Sequence, residues 1–351
     1  MDFELSDDQV ALQEAARDLL DGLSGPAQVR AHMASGQSWD RALWAAMIAQ
    51  GWPGVTHPEG LGLGWVEAAV LLEEVGRHTA PAPFLPTLLA LEALAKAGDG
   101  RASSLATGER VGCVAWSRRP GAVAEEDDGT LSGRPDPVVA ADAADVVVIW
   151  TPDAVYAADI DEIGRPAPEP AMDGTRSLAW LHLDHAPVVR LGGAEAAAAL
   201  LDRAAVGASA EMLGGAARVL EMSAQYAKDR VQFGQPIGSF QAVKHRCADM
   251  VVDVEGMRST AWWAACAIAA GDPDTSVAAS TAKTWCSDAA RRVMASGLQV
   301  HGGIGFTWEH DLHLYLKRSQ LDQVSYGAAD YHRDRLAGLL RERVDAGADV
   351  I

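Results

Sequence analysis

A chain of 351 residues, 49% of them hydrophobic, is long enough for two or three domains, yet no apolar run reaches the ~18 residues of a membrane span. With 48 acidic against 29 basic side chains the net charge is −19, a field that repels nucleic acid and anionic lipid, so neither is an expected partner. Cys113, Cys247, Cys266 and Cys286 form no CxxC pair and read as ordinary buried thiols of a reducing cytoplasm.

In chain order, Met1-Asp2-Phe3-Glu4 is acidic and lacks the basic start and apolar core of a signal peptide, in keeping with a cytoplasmic protein. Residues 1–108 read as an N-terminal α-helical domain. Ser6-Asp7-Asp8 supplies an N-cap and an acidic first turn, and Val10, Leu12, Ala15, Leu19 and Leu20 follow at helical spacing. Gly and Pro punctuate a loop over residues 51–60, and Trp65–Arg77 is the next helix. Pro81, Pro83 and Pro86 interrupt the pattern, so the following helix is expected over 87–97.

Residues 109–191 read as a small middle β domain. Its expected strands are 111–116, 138–139, 146–150 and 179–183, β-prone runs between Gly, Pro and Asp clusters, with a solvated hairpin turn at Glu125-Glu126-Asp127-Asp128-Gly129. From 192 to 351 the chain is helical and alanine-rich, with helices expected over 194–229, 240–270 and 274–297 packing as a bundle. Trp262-Trp263 is assigned to bundle or subunit interfaces.

Two strings in this last part carry chemistry. The first is Arg230-Val231-Gln232-Phe233-Gly234-Gln235-Pro236-Ile237-Gly238-Ser239-Phe240-Gln241; the second is Gln299-Val300-His301-Gly302-Gly303-Ile304-Gly305-Phe306. Arg230 offers a planar set of donors suited to a diphosphate. Gln232, Gln241 and Gln299 supply amide donors and acceptors for ribose, adenine or phosphate, and Phe233 and Phe240 an apolar surface for a ring. Gly302, Gly303 and Gly305 allow the close backbone approach of an anion-cradling turn. The competing structural reading makes Arg230 a surface residue, Phe233 a core residue and Gly302-Gly303 a helix cap.

Together the strings resemble the C-terminal domain of the flavin-dependent acyl-CoA dehydrogenases, where both grip the ADP half of an FAD bound mainly by a neighbouring subunit. Gly51-Trp52-Pro53-Gly54, His57-Pro58-Glu59-Gly60 and Leu72-Glu73-Glu74-Val75-Gly76-Arg77 resemble that family's N-terminal loop and helix motifs. The resemblance implies an α+β fold: an N-terminal helical domain, a small middle β-barrel or sandwich, and a C-terminal four-helix bundle. It also implies FAD, with Arg230, Gln232, Phe233, Phe240, Gln241, Gln299, Val300, Gly302 and Gly303 as its contacts.

Against that family the chain lacks its base. Counting from Arg318, the catalytic glutamate falls on Gly327 within Tyr326-Gly327-Ala328-Ala329; the alternative base position on the first long C-terminal helix falls on Ala204, followed by Ala205. A general base must be present and positioned for α-proton removal, so no catalytic residue is assigned. Glu211, seven residues on and near 10 Å along the helix at ~1.5 Å per residue, is a candidate substitute, with a solvated or paired role as the competing reading. The flavin-ring motifs are replaced too, by Ala115-Trp116-Ser117-Arg118-Arg119-Pro120-Gly121 and Pro137-Val138-Val139. The pattern resembles the smaller subunit of the α2β2 acyl-CoA dehydrogenases of actinobacterial steroid degradation, which Met172-Asp173-Gly174-Thr175-Arg176 also fits.

That resemblance implies a homologous catalytic subunit as partner and an FAD shared with it, an acyl-CoA substrate, and electron-transfer flavoprotein or a similar acceptor. The alternatives are a homomeric flavoenzyme using Glu211 or oxygen chemistry, and a flavin-free scaffold subunit. His301 is expected to pack. His310-Asp311-Leu312-His313 has a ligand-like spacing, but the resemblance implies no metal there.

Overall fold

A computed structural model describes residues 5–347, so the N-terminal Met1-Asp2-Phe3-Glu4 reading lies outside the described residues. The helices are α1 (Asp7–Leu23), α2 (Pro26–Ser35), α3 (Arg41–Ala49), α4 (Trp65–Arg77), α5 (Phe84–Ala97), α6 (Arg101–Ala106), α7 (Ile160–Ile163), α8 (Ala194–Asp229), α9 (Gln241–Ala270), α10 (Thr275–His301), α11 (Leu312–Val324) and α12 (Ala329–Asp345). Packing groups them into two compact units: residues 5–17, 69–80 and 205–347 in one, 18–68 and 81–204 in the other. Among the described residues no helix is long and apolar enough to cross a membrane.

The second unit holds the strands of the middle segment: β1 (Gly112–Ala115), β2 (Val123–Glu125), β3 (Leu131–Gly133), β4 (Val138–Val139), β5 (Val146–Trp150), β6 (Ala154–Asp159), β7 (Pro168–Glu169), β8 (Leu178–Ala179), β9 (Leu183–Ala186) and β10 (Val189–Gly193). They form sheets of order β1-β5-β6-β10, β2-β3-β9 and β4-β8-β7. β1 lies parallel to β5 with Gly112 opposite Val146, and β5, Val-Val-Val-Ile-Trp, is buried along its whole length, as a strand covered on both faces must be. The acidic turn does join a hairpin, with β2 antiparallel to β3.

Two expectations about this unit change. The run 179–183 is not one strand: Ala179 ends β8 and Leu183 opens β9 in a different sheet. Between them the guanidinium of Arg134 lies 3.8 Å over the Trp180 ring. α5 begins at Phe84, three residues before the expected start, because Pro86 sits in the first turn, where an amide hydrogen has no helical partner to lose.

In the first unit α8 crosses α4 backbone to backbone. A Cβ on Gly214 would lie 1.8 Å from Glu73 O, and one on Gly76 would lie 1.9 Å from Glu211 O. The crossing brings charge inside. Glu74, fully buried, takes 2.6 and 3.2 Å bonds from Arg17, and Glu73 takes a 2.7 Å bond from Arg258. Such paired buried carboxylates are costly to orphan, by about 3–5 kcal/mol. α10 runs one turn past the expected 297 and leaves the helix only at Gly302, at φ 62° and ψ −140°. Trp262 packs in the core of this unit, as do the thiols of Cys286 here and Cys113 in the other unit, whereas Cys247 and Cys266 are only half-buried.

Candidate functional site

α8 stops at Asp229, and the chain turns at once into a hairpin of β11 (Val231–Gln232) and β12 (Gln235–Pro236). Ile237 N donates to Arg230 O at 2.8 Å, closing its base. The two turn residues, Phe233 at φ 55° and Gly234 at φ 79°, are both left-handed, as a two-residue hairpin turn of matching twist requires. Glycine adopts that state freely, whereas for phenylalanine it costs about 1–2 kcal/mol. Phe233 is nevertheless 92% exposed. The turn thus holds a large apolar ring in solvent at a cost in backbone strain. Phe240, which N-caps α9, meets that ring edge-on at 6.1 Å. Arg230, Gln232 and Gln241 are exposed, and among the described residues no ion pair engages the Arg230 guanidinium.

The second string abuts the first. His301 stacks on Tyr226 at 4.7 Å, joining the last turn of α10 to the last turn of α8. Arg230 is one residue beyond α8, and Gly302 one beyond α10. His301 Nδ1 donates to Gly297 O at 2.8 Å, and burial lowers its pKa, so it packs as expected. Gln299 and Gly303 face solvent, with nothing within 4 Å of where a Gly303 Cβ would be. Val300, 6% exposed, sends its side chain into the core. Hairpin and turn thus present Arg230, Gln232, Phe233, Gln241, Gln299, Gly302 and Gly303 at one end of the bundle. The donor set fits a diphosphate, and the amides fit a ribose or an adenine.

Nearby histidines serve the backbone. His310 Nδ1 accepts from Leu312 N at 3.1 Å, and His313 Nε2 donates to Trp308 O at 3.4 Å. Among the described residues no three metal-ligating side chains cluster.

The two positions at which the resemblance implies a base, Gly327 and Ala204, carry no ionisable side chain. Gly327 is buried at φ 96°, following Tyr326 at φ 57°, and a Cβ there would lie 2.4 Å from Tyr331 Cδ1. The Tyr331 ring fills the place a side chain would need. Ala204 is completely buried in the other unit. Glu211 is 1% exposed, which corrects its reading as a solvated helix residue. It lines a cavity of about 10 Å³ with Gly76, Thr79, Arg318 and Asp322, room for about one water and no acyl chain. Glu211→Gln is therefore expected to leave turnover of the assembled enzyme within a few-fold, by steady-state assay; a fall of about a thousandfold would mark a base.

The groups that hold the Tyr326-Gly327 turn carry no local signal in the sequence. His332 Nε2 donates to Tyr326 O at 3.0 Å. Lys283, fully buried, donates to Asp322 O at 2.8 Å and Gln323 O at 3.0 Å, capping the end of α11, and burial pulls its pKa down to about 7. Burial, more than the nearby charges of Lys283 and Arg335, pushes His332 from 6.5 down to about 3. Unfolding frees His332 to bind a proton between those values, so its contribution is whole above about 6.5 and is lost as pH falls toward 3. Urea midpoints should decline over that window, and His332→Asn should flatten the decline; an unchanged slope would contradict the assignment.

In the middle segment, the loop at which the resemblance implies a flavin-ring motif is tied to its own neighbours. Asp136 N donates to Trp116 O at 3.1 Å, Asp136 Oδ1 pairs with Arg119 at 3.4 Å, and Val138 is buried in β4.

The chain is similar to known proteins along most of its length. Residues 6–103 match the acyl-CoA dehydrogenase N-terminal domain and residues 192–340 the acyl-CoA dehydrogenase C-terminal domain. Acyl-CoA dehydrogenase IpdE2 of Mycobacterium tuberculosis is 37% identical over 318 residues, 88% of this chain and 89% of its own. Among solved structures, a chain of the ChsE4-ChsE5 complex from Mycobacterium tuberculosis superposes with a TM-score of 0.89 at 30% identity, covering 97% of this chain and 99% of that one. A chain of the Tcur3481-Tcur3483 steroid ACAD gives 0.86 at 30% identity over the same shares. The sequence resemblance holds, and with it the fold: this chain belongs to the acyl-CoA dehydrogenase family, whose reaction oxidises a CH–CH bond.

Proposed function

We propose that this chain is the non-catalytic subunit of a heteromeric, FAD-dependent acyl-CoA dehydrogenase. The observation that carries the reading is Gly327: the family's base position holds a glycine in a left-handed turn, with the Tyr331 ring where a carboxylate side chain would begin. The chain nonetheless keeps an exposed Arg230 and the Gly302-Gly303 turn beside it. On this reading Arg230 holds the diphosphate of an FAD housed by the partner, Gln232, Gln241 and Gln299 bond its ribose and adenine, and Phe233 covers the adenine. FAD, when bound, supplies the ring that accepts the β-hydrogen as hydride. Gly327 and Ala204 offer no acceptor for the α-proton, so on this reading that acceptor belongs to the partner.

The partner is then a homologous catalytic subunit in an α2β2 assembly, and the substrate an acyl-CoA, with a steroid side-chain ester as the favoured class. Electrons pass on to electron-transfer flavoprotein or a similar acceptor. The similar ChsE4-ChsE5 complex and Tcur3481-Tcur3483 steroid ACAD, each of two components, support the heteromer, and the second also the substrate class. The burial of Glu211 weighs against a homomeric enzyme with a relocated base.

Co-expression with the partner, followed by a visible spectrum and a flavin-to-subunit ratio, tests this. We expect a colourless chain alone and one flavin for each pair of unlike subunits. A chain that retains FAD by itself, or a partner equally flavinylated and active without it, would overturn the reading.

A further inference from the structure

In the second unit a cavity of about 250 Å³ opens between the C-terminal half of α5, the first three turns of α8 and strands β6 and β10. It is separate from the features above. Its α8 wall is made by Ala196, Ala199 and Arg203 at helical spacing, and Ala204 does not line it. Val155 and Leu200, both nearly inaccessible, form its apolar floor. The facing walls are alanines, Ala93 and Ala97 on α5 and Ala196 and Ala199 on α8. Larger side chains there would fill the space and gain dispersion contacts that the alanines forgo.

The polar groups define what fits. Inside, Arg203 Nε donates to Glu92 Oε2 at 2.8 Å and Arg203 also bonds Ala199 O, while Thr56 Oγ1 donates to the other oxygen of Glu92. That pair is neutral and satisfied, so a ligand has no charge to compensate. At the mouth, Lys96 and Glu195 are exposed, and neither makes an ion pair among the described residues. They offer one donor and one acceptor with no net charge. A charged ligand would gain at one and lose at the other. An apolar cavity of ~150 Å³ holds a benzene ring, and the space here is larger.

We propose that this cavity binds a neutral, compact apolar molecule of about two fused six-membered rings, carrying one hydroxyl or carbonyl oxygen toward Lys96 and Glu195. This site does not depend on the flavin reading.

The test is titration of the full chain with 2-naphthol, followed by its fluorescence, with naphthalene-2-sulfonate as the charged counterpart. Saturable one-to-one binding of 2-naphthol is expected, with the sulfonate about tenfold weaker or worse, and with Ala199→Leu and Ala93→Leu each weakening 2-naphthol by about tenfold or more. Those two variants fill opposite walls, so failure of one to fold leaves the other to decide. Lys96→Met, on the surface, should weaken binding by a few-fold. Absence of saturable binding, affinity indifferent to the filling variants, or a preference for the sulfonate would each overturn the proposal.

Discussion

Gly327→Glu is expected to create no dehydrogenase and to cost about 2–6 kcal/mol of stability. Two effects add. A side chain at φ 96° stores roughly 1–3 kcal/mol of backbone strain. Its Cβ, 2.4 Å from Tyr331 Cδ1, forces that half-buried ring aside, and a clash of this kind costs about 1–3 kcal/mol more. Because the conflict begins at Cβ, Gly327→Ala should already show most of the loss in urea unfolding. Tyr331→Ala in the same chain should return part of it. Even with a carboxylate installed, the loop tied to Asp136 stands where the family's ring motif is expected, so acyl-CoA-dependent dye reduction by the variant alone should stay at background. Measurable turnover by Gly327→Glu without a partner, or unchanged stability of Gly327→Ala, would refute the account.

Arg230→Ala is expected to strip flavin from the co-purified complex while leaving the chain folded. A charged hydrogen bond to a diphosphate is worth about 1.5–3 kcal/mol, which translates into roughly ten- to hundredfold weaker retention. Arg230 is exposed and outside any ion pair among the described residues, so its loss should change unfolding by less than about 0.5 kcal/mol. That separation distinguishes a cofactor contact from a structural one. Arg230→Lys keeps the charge but not the two-pronged geometry, and should fall between the parent and the alanine variant. Flavin absorbance per complex after gel filtration is the readout; full occupancy in Arg230→Ala would end the reach-across role.

These expectations rest on features of different legibility. α8 was readable end to end, because 36 residues of alanine-rich sequence at helical spacing leave no other regular structure. The Phe233-Gly234 hairpin beside Arg230 was not foreseen: Phe233 reads equally as a core residue until its φ of 55° and its exposure are known. The start of α5 was misplaced because proline in a first turn and proline as a breaker look alike until the neighbouring amides find or lack partners.

From sequence alone came the helical segments and the two strings that carry the family resemblance, consequences of which residue types stand at which short spacings. Only the folded chain decided that the Tyr331 ring lies against Gly327, that Glu211 is sealed beside space for one water, that Val300 turns inward, and that four alanines from α5 and α8 frame a cavity. Each of those depends on which distant side chains share a volume, and a linear spacing carries no record of that volume.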